Sequence, residues 1–140
     1  MDPETVQKNL EKAAAAHGLP FGKRTMVYNT RRATELGKWA ETQGRRQAFD
    51  SAVFHALFVR LKNIALREVL CEVVRSVGLD PQEAMEILES GAFREAVERD
   101  WEYASRCGVK MAPSYLLGTS RLVGAHPPHR LETWLKAALR

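Results

Sequence analysis

With 140 residues, 45% of them hydrophobic and 27% charged, the sequence has room for one domain around one core and is not of disordered composition. A formal net charge of +4 is a small excess, compatible with an acidic partner but too weak to call for nucleic acid. No apolar run approaches the ~20 residues of a membrane span, and the start Met1-Asp2-Pro3-Glu4 is acidic with no apolar stretch, so neither a membrane segment nor a secretory leader is expected.

Cys71 and Cys107 lie far apart and form no Cys-x-x-Cys pair. A small disulfide-stapled secreted domain carries more cysteines, so two separate reduced thiols in the cytoplasm are expected.

Residues 4–17 have the spacing of a helix through Val6, Leu10, Ala13 and Ala14, with Gly18 as its stop and Pro20 beyond. A connection over 21–29 leads to Asn29 and Thr30, either of which can cap a helix running to about Gln43 before Gly44. Leu36, Trp39 and Ala40 form its apolar stripe, with Arg31, Arg32 and Lys38 on the wetter side. Residues 47–61 give the strongest amphipathic pattern: Phe54, Leu57, Phe58 and Leu61 recur at helical spacing, with Phe49 and Val53 beside them. His55, flanked by core positions, reads as a half-buried packing residue. After a break at Lys62-Asn63, residues 66–77 place Val69, Leu70, Val73, Val74 and Val77 on one face and stop at Gly78. Cys71 sits on or beside that face as a small hydrophobe.

Asp80-Pro81-Gln82-Glu83 is a helix start: the Asp accepts from first-turn amides, the Pro occupies the first helical position, and Glu83 reaches back to the cap. That helix carries Met85, Ile87 and Leu88 and ends at Ser90-Gly91. A longer one follows from Ala92 to Cys107, with Phe93, Val97 and Trp101 spaced by four and Gly108 as terminator. Trp39, Trp101 and Trp134 all read as packing residues. The pattern then changes. Ser114–Leu117 and Arg121–Gly124 read as two strands around Gly118-Thr119-Ser120, and Pro127-Pro128 opens a last helix carrying Leu131, Trp134, Leu135 and Leu139. The fold class is α+β, mostly α. A lone hairpin is marginal in water and its outer edges expose unpaired backbone groups, so further sheet is expected from elsewhere.

The segment Gly108-Val109-Lys110-Met111-Ala112-Pro113-Ser114-Tyr115 resembles the cis-proline loop of DsbA-like thioredoxin-fold proteins. Its usual form there is Gly-Val-x-Gly-Val-Pro-Thr-Phe, followed by a hairpin and a Gly-Ala-Gln-Pro helix start, for which this chain has Gly124-Ala125-His126-Pro127. Gly18-Leu19-Pro20-Phe21-Gly22 and Tyr28-Asn29-Thr30-Arg31-Arg32-Ala33 are similar to the segment leading into the family's helical insertion. The likeness continues through Leu36–Ala40, Phe54–Phe58, Asn63-Ile64, Glu68–Leu70, Ala96-Val97 and Asp100-Trp101. The nearest branch resembled is that of the FrnE-like oxidoreductases. Its sister holds 2-hydroxychromene-2-carboxylate isomerase and the kappa-class glutathione transferases, whose Gly-x-Asp-Arg after the hairpin is absent here.

The resemblance implies one partial DsbA-like domain over 1–140: a helical part over about 1–107, then the loop, hairpin and C-terminal helix over 108–140. It implies a cis Ala112–Pro113 bond that turns the backbone of Ala112 outward, where an extended peptide or small thiol can pair. Met111, Ala112 and Pro113 are therefore the expected substrate-binding residues. Asn63 joins them by likeness to glutathione-using relatives, its bland alternative being a left-handed helix cap. Met111 stands where the loop usually has Gly, and Ala65-Leu66-Arg67 replaces a usual Gly-Asp-Pro, which removes a capping Asp worth ~1 kcal/mol. Family members carry their nucleophile in a βαβ segment before the helical insertion, and these 140 residues hold no counterpart of it. No catalytic residue is therefore assigned.

Cys107, at a helix C-terminus, is poorly placed for a thiolate. His126 and His129 are too few ligands for a metal, so none is expected. No cofactor is assigned beyond glutathione by family resemblance. Three readings stay open: a protein of thiol-disulfide oxidoreductase ancestry inactive alone, a non-catalytic binding module or subunit completed by a partner chain, and a glutathione-dependent isomerase or transferase relative. The unpaired hairpin edge points to a homodimer or a partner chain.

Overall fold

The computed structural model describes residues 3–139. Met1, Asp2 and Arg140, including the start of the acidic N-terminus, lie outside them. In chain order come α1 (Pro3–Ala16), α2 (Arg31–Thr42), α3 (Arg46–Phe54), a π-helical turn (His55–Val59), α4 (Arg67–Ser76), α5 (Pro81–Ser90), α6 (Arg94–Arg106), β1 (Ser114–Leu117), β2 (Ser120–Val123) and α7 (Pro128–Ala138). The chain is mostly helical with one two-stranded antiparallel sheet. It divides into two compact units, Met1–Val97 and Glu98–Arg140, and the division falls inside α6 rather than after it.

The first unit is built on α2, α3, α4 and α5, which pack in the pairs α2–α3, α3–α4, α4–α5 and α2–α5. Leu36, Trp39 and Ala40 of α2 are buried, as their spacing predicts, against Phe49, Val53, Leu70, Val74, Ala84 and Leu88. Burying a side chain of this size contributes roughly 1.5–3 kcal/mol, so this cluster dominates the unit's stability. The Trp39 indole N–H donates to Glu83 at 3.3 Å, joining α2 to α5. That bond corrects the capping reading of Glu83, whose carboxylate turns to the tryptophan. Asp80 alone accepts the first-turn amide of Gln82, at 2.8 Å, with Pro81 at the first helical position. Asn29 Oδ1 accepts the Arg31 N–H at 2.9 Å at the start of α2. Leu66 precedes α4 with no side-chain cap, in line with the missing Asp.

The helix expected over 47–61 is not one α-helix. Arg60 N–H bonds to His55 O at 3.0 Å and Lys62 N–H to Ala56 O at 2.8 Å, wider rings than the α ladder allows. The widened turn rotates the chain beyond it. The buried face is Phe49, Val53, Ala56 and Leu57, while Phe54 is 60% exposed, His55 is exposed, and Leu61 takes a left-handed φ of 54°. The packing role expected of His55 is therefore wrong. The turn also releases the Phe58 carbonyl, which accepts the Gly22 N–H at 2.7 Å and staples the connection after α1 to the helix. α1 differs from expectation as well: Ala14 is buried, but Val6 and Leu10 stay on the surface.

In the second unit the hairpin pairs Ser114 with Val123, Tyr115 with Leu122, Leu116 with Arg121 and Leu117 with Ser120. Alternation puts Tyr115 and Leu117 on one face and Ser114 and Leu116 on the other. Trp134 of α7 covers the first face, its ring 6.4 Å from that of Tyr115 and its N–H donating to Ser120 Oγ at 2.9 Å. Trp101 of α6 is 49% exposed, where the spacing predicts a core position. No described residue from Glu98 to Leu139 is buried, as befits a hairpin too small to enclose a core.

Candidate functional site

The loop between α6 and β1 is held from both ends. α6 closes with Val109 N–H on Ala104 O at 2.9 Å and Gly108 N–H on Ser105 O at 2.8 Å, which needs Gly108 in the left-handed region at φ 69°. A Cβ at Gly108 would sit 2.7 Å from the Arg121 guanidinium. That guanidinium reaches back from β2 and donates to Gly108 O at 3.0 Å and to Cys107 O. Two carbonyls at a helix C-terminus, the negative end of its dipole, thus meet one cation. On the strand side, Ser114 Oγ donates to Met111 O and Gly124 N–H donates to Pro113 O at 2.8 Å.

Met111, Ala112 and Pro113 form the exposed crest of this loop, with the Ala112–Pro113 peptide bond cis. Among the described residues neither backbone group of Ala112 has a hydrogen-bond partner. The Pro113–Gly124 bond and the register direct Tyr115 and Leu117 toward β2, and leave the N–H and C=O of Ser114 and Leu116 on the outer edge of β1. Among the described residues, Ala112 and that edge make one run of unpaired backbone. Behind the hairpin, Tyr103, Ala104, Cys107, Leu116 and Arg121 border a cleft of about 650 Å³.

Asn63 lies in the first unit, whereas the loop lies in the second. Its Oδ1 accepts the Ala65 N–H at 2.9 Å, an Asx turn leading into α4. The left-handed cap imagined for it falls on Leu61 instead. Cys71 and Cys107 are unpaired and half-buried, one in each unit. His126 Nε2 donates to Val123 O at 2.8 Å, which fixes the turn before α7. Arg121 and Ser114 escape the sequence reading. The available signal is a basic residue one hairpin away from a glycine-ended helix, where arginine suits free carbonyls.

The profile of the DSBA-like thioredoxin domain matches residues 3–136. The chain belongs to that family. Among solved structures, this DSBA-like chain is similar to a probable DsbA oxidoreductase from Streptomyces coelicolor, with a TM-score of 0.84 and 27% identity over 99% of this chain and 62% of that one. It thus spans less than two thirds of that protein's length. A candidate protein disulfide isomerase from Nitrosomonas europaea shares the fold, with a TM-score of 0.75 and 17% identity over 99% of this chain and 76% of that one. No curated protein matches the DSBA-like chain. No described helix is long and apolar enough to cross a membrane.

Proposed function

We propose that this chain is a binding part of a thiol-disulfide oxidoreductase lineage: it holds an extended peptide or small thiol against Met111, Ala112 and Pro113 and does not exchange disulfides on its own. The observation that carries this reading is the unpartnered backbone of Ala112 in line with the open edge of β1. Extended chains add to such edges through main-chain hydrogen bonds, with side chains setting specificity. The chemistry of exchange requires an attacking thiolate and a resolving thiol. Cys71 and Cys107 form no Cys-x-x-Cys pair and are both unpaired.

The β1 edge also favours strand addition from a second copy or a partner chain, and a small thiol such as glutathione is the alternative occupant of the loop. Two unpaired thiols suit a reducing compartment, so we place the protein in the cytoplasm. The test is an amide NMR titration with two ligands that cannot exchange, S-methylglutathione and the reduced, alkylated insulin B chain. Binding with shifts centred on residues 111–117 is expected for at least one of them. Shifts around Asn63 alone move the site to the glutathione reading, and no shifts in the loop with either ligand refute the proposal.

A further inference from the structure

Phe54, the last residue of α3, lies off the buried Phe49–Val53 face and is 60% exposed. It meets Phe58 at 6.1 Å between ring centroids, and Phe58 stacks on Phe21 at 5.5 Å. These rings stand between two clefts of the first unit. One, of about 410 Å³, is almost wholly apolar and runs over Leu19, Pro20 and Val59. The other, of about 420 Å³, runs from Phe54 and Phe58 to Arg24, Thr30 and Asp50. Each falls within the roughly 300–1,000 Å³ of small-molecule sites, and they share Phe54 and Phe58.

The polar end has an uneven charge balance. Asp50 accepts from Arg46 at 2.7 Å, and Arg46 also faces Glu41 at 3.7 Å, so these groups satisfy one another. Arg24 lies 5.2 Å from the centroid of the Phe58 ring, and no described carboxylate comes within ion-pair distance of it. The Thr30 hydroxyl makes no capping bond to α2. An arginine stacked on a ring keeps its N–H edge free for a planar oxyanion, and a half-buried cation gains from one. The same cation repels the quaternary amines that aromatic clusters otherwise attract.

We propose that these joined clefts bind a small carboxylate with an apolar body, the carboxylate on Arg24 and Thr30 and the body over Phe54 and Phe58. The site lies within Met1–Val97 and uses no residue of the Met111–Pro113 loop, so it stands or falls apart from the peptide-binding role of that loop.

Calorimetric titration of the full chain with decanoate, decanol and inorganic phosphate tests it. Decanoate is expected to bind about tenfold more tightly than decanol, the scale of one charge-assisted bidentate pair. Arg24→Gln is expected to abolish that preference. Phe54→Ser, at an exposed position, is expected to weaken decanoate and decanol alike. Absence of decanoate binding, equal binding of decanoate and decanol to the native chain, an unchanged preference in a folded Arg24→Gln, or phosphate binding as tight as decanoate would each overturn the proposal. Circular dichroism of both variants verifies their folding, and Arg24→Lys, which keeps the charge but loses the planar fork, is expected to fall between native and Gln.

Discussion

Arg121 donates to Cys107 O and Gly108 O across a sequence separation that nothing in local pattern announces. It closes the end of α6 and thereby fixes where the loop over 109–113 starts. Arg121→Ala is expected to fray that end and to raise the labelling rate of the Cys107 thiol about fivefold in a Cys71→Ala background, the opening that ~1 kcal/mol of lost capping permits. An unchanged rate would mean the hydrogen bonds of Val109 and Gly108 suffice alone. Asp80 and Asn29 are legible because a cap uses neighbours within a few residues. Glu83 is misread because its partner, Trp39, belongs to another helix. Asn63 is placed at the right bend but given a backbone geometry that Leu61 adopts.

At the scale of elements, the helices with one clear stripe, α2 and α4, fold as their periodicity predicts. The segment over 47–61 carries apolar residues on too wide an arc for one α register to bury. Phe49, Val53, Ala56 and Leu57 take the buried stripe, Phe54 is left outside it, and the π turn redirects the chain at Arg60–Lys62. A five-residue hydrogen-bond ring leaves no signature in composition, so only the excess of apolar positions hints at it. The hairpin is legible from its turn and alternation, and the consequence of its open edge belongs to this scale too. Leu116, on β1 beside that edge, remains 43% exposed. Pairing β1 with a second copy across a two-fold axis would satisfy the backbone groups and cover Leu116 together. Light scattering over a concentration series is expected to show a dimer. A monomer at every concentration would mean the edge is kept open for another ligand.

For the whole molecule, order and spacing of weak motifs carry more information than any single one. Gly108–Tyr115, Gly124–Pro127 and the helical segments point together to the DSBA-like family that the profile match over residues 3–136 establishes. The boundary between units cannot be read from the sequence, because α6 continues unbroken through it and its second half shares a cleft with the hairpin. Function is less legible than fold, since a loop that binds extended chains and a dithiol that oxidises them are separate devices. The loop proposed to bind such chains is present here, and the 140 residues hold no Cys-x-x-Cys pair for the second. Dithiothreitol-driven reduction of insulin, followed by turbidity, separates the two most directly. The expected onset of turbidity is indistinguishable from that of the uncatalysed control. An acceleration that vanishes in Cys107→Ser would contradict it.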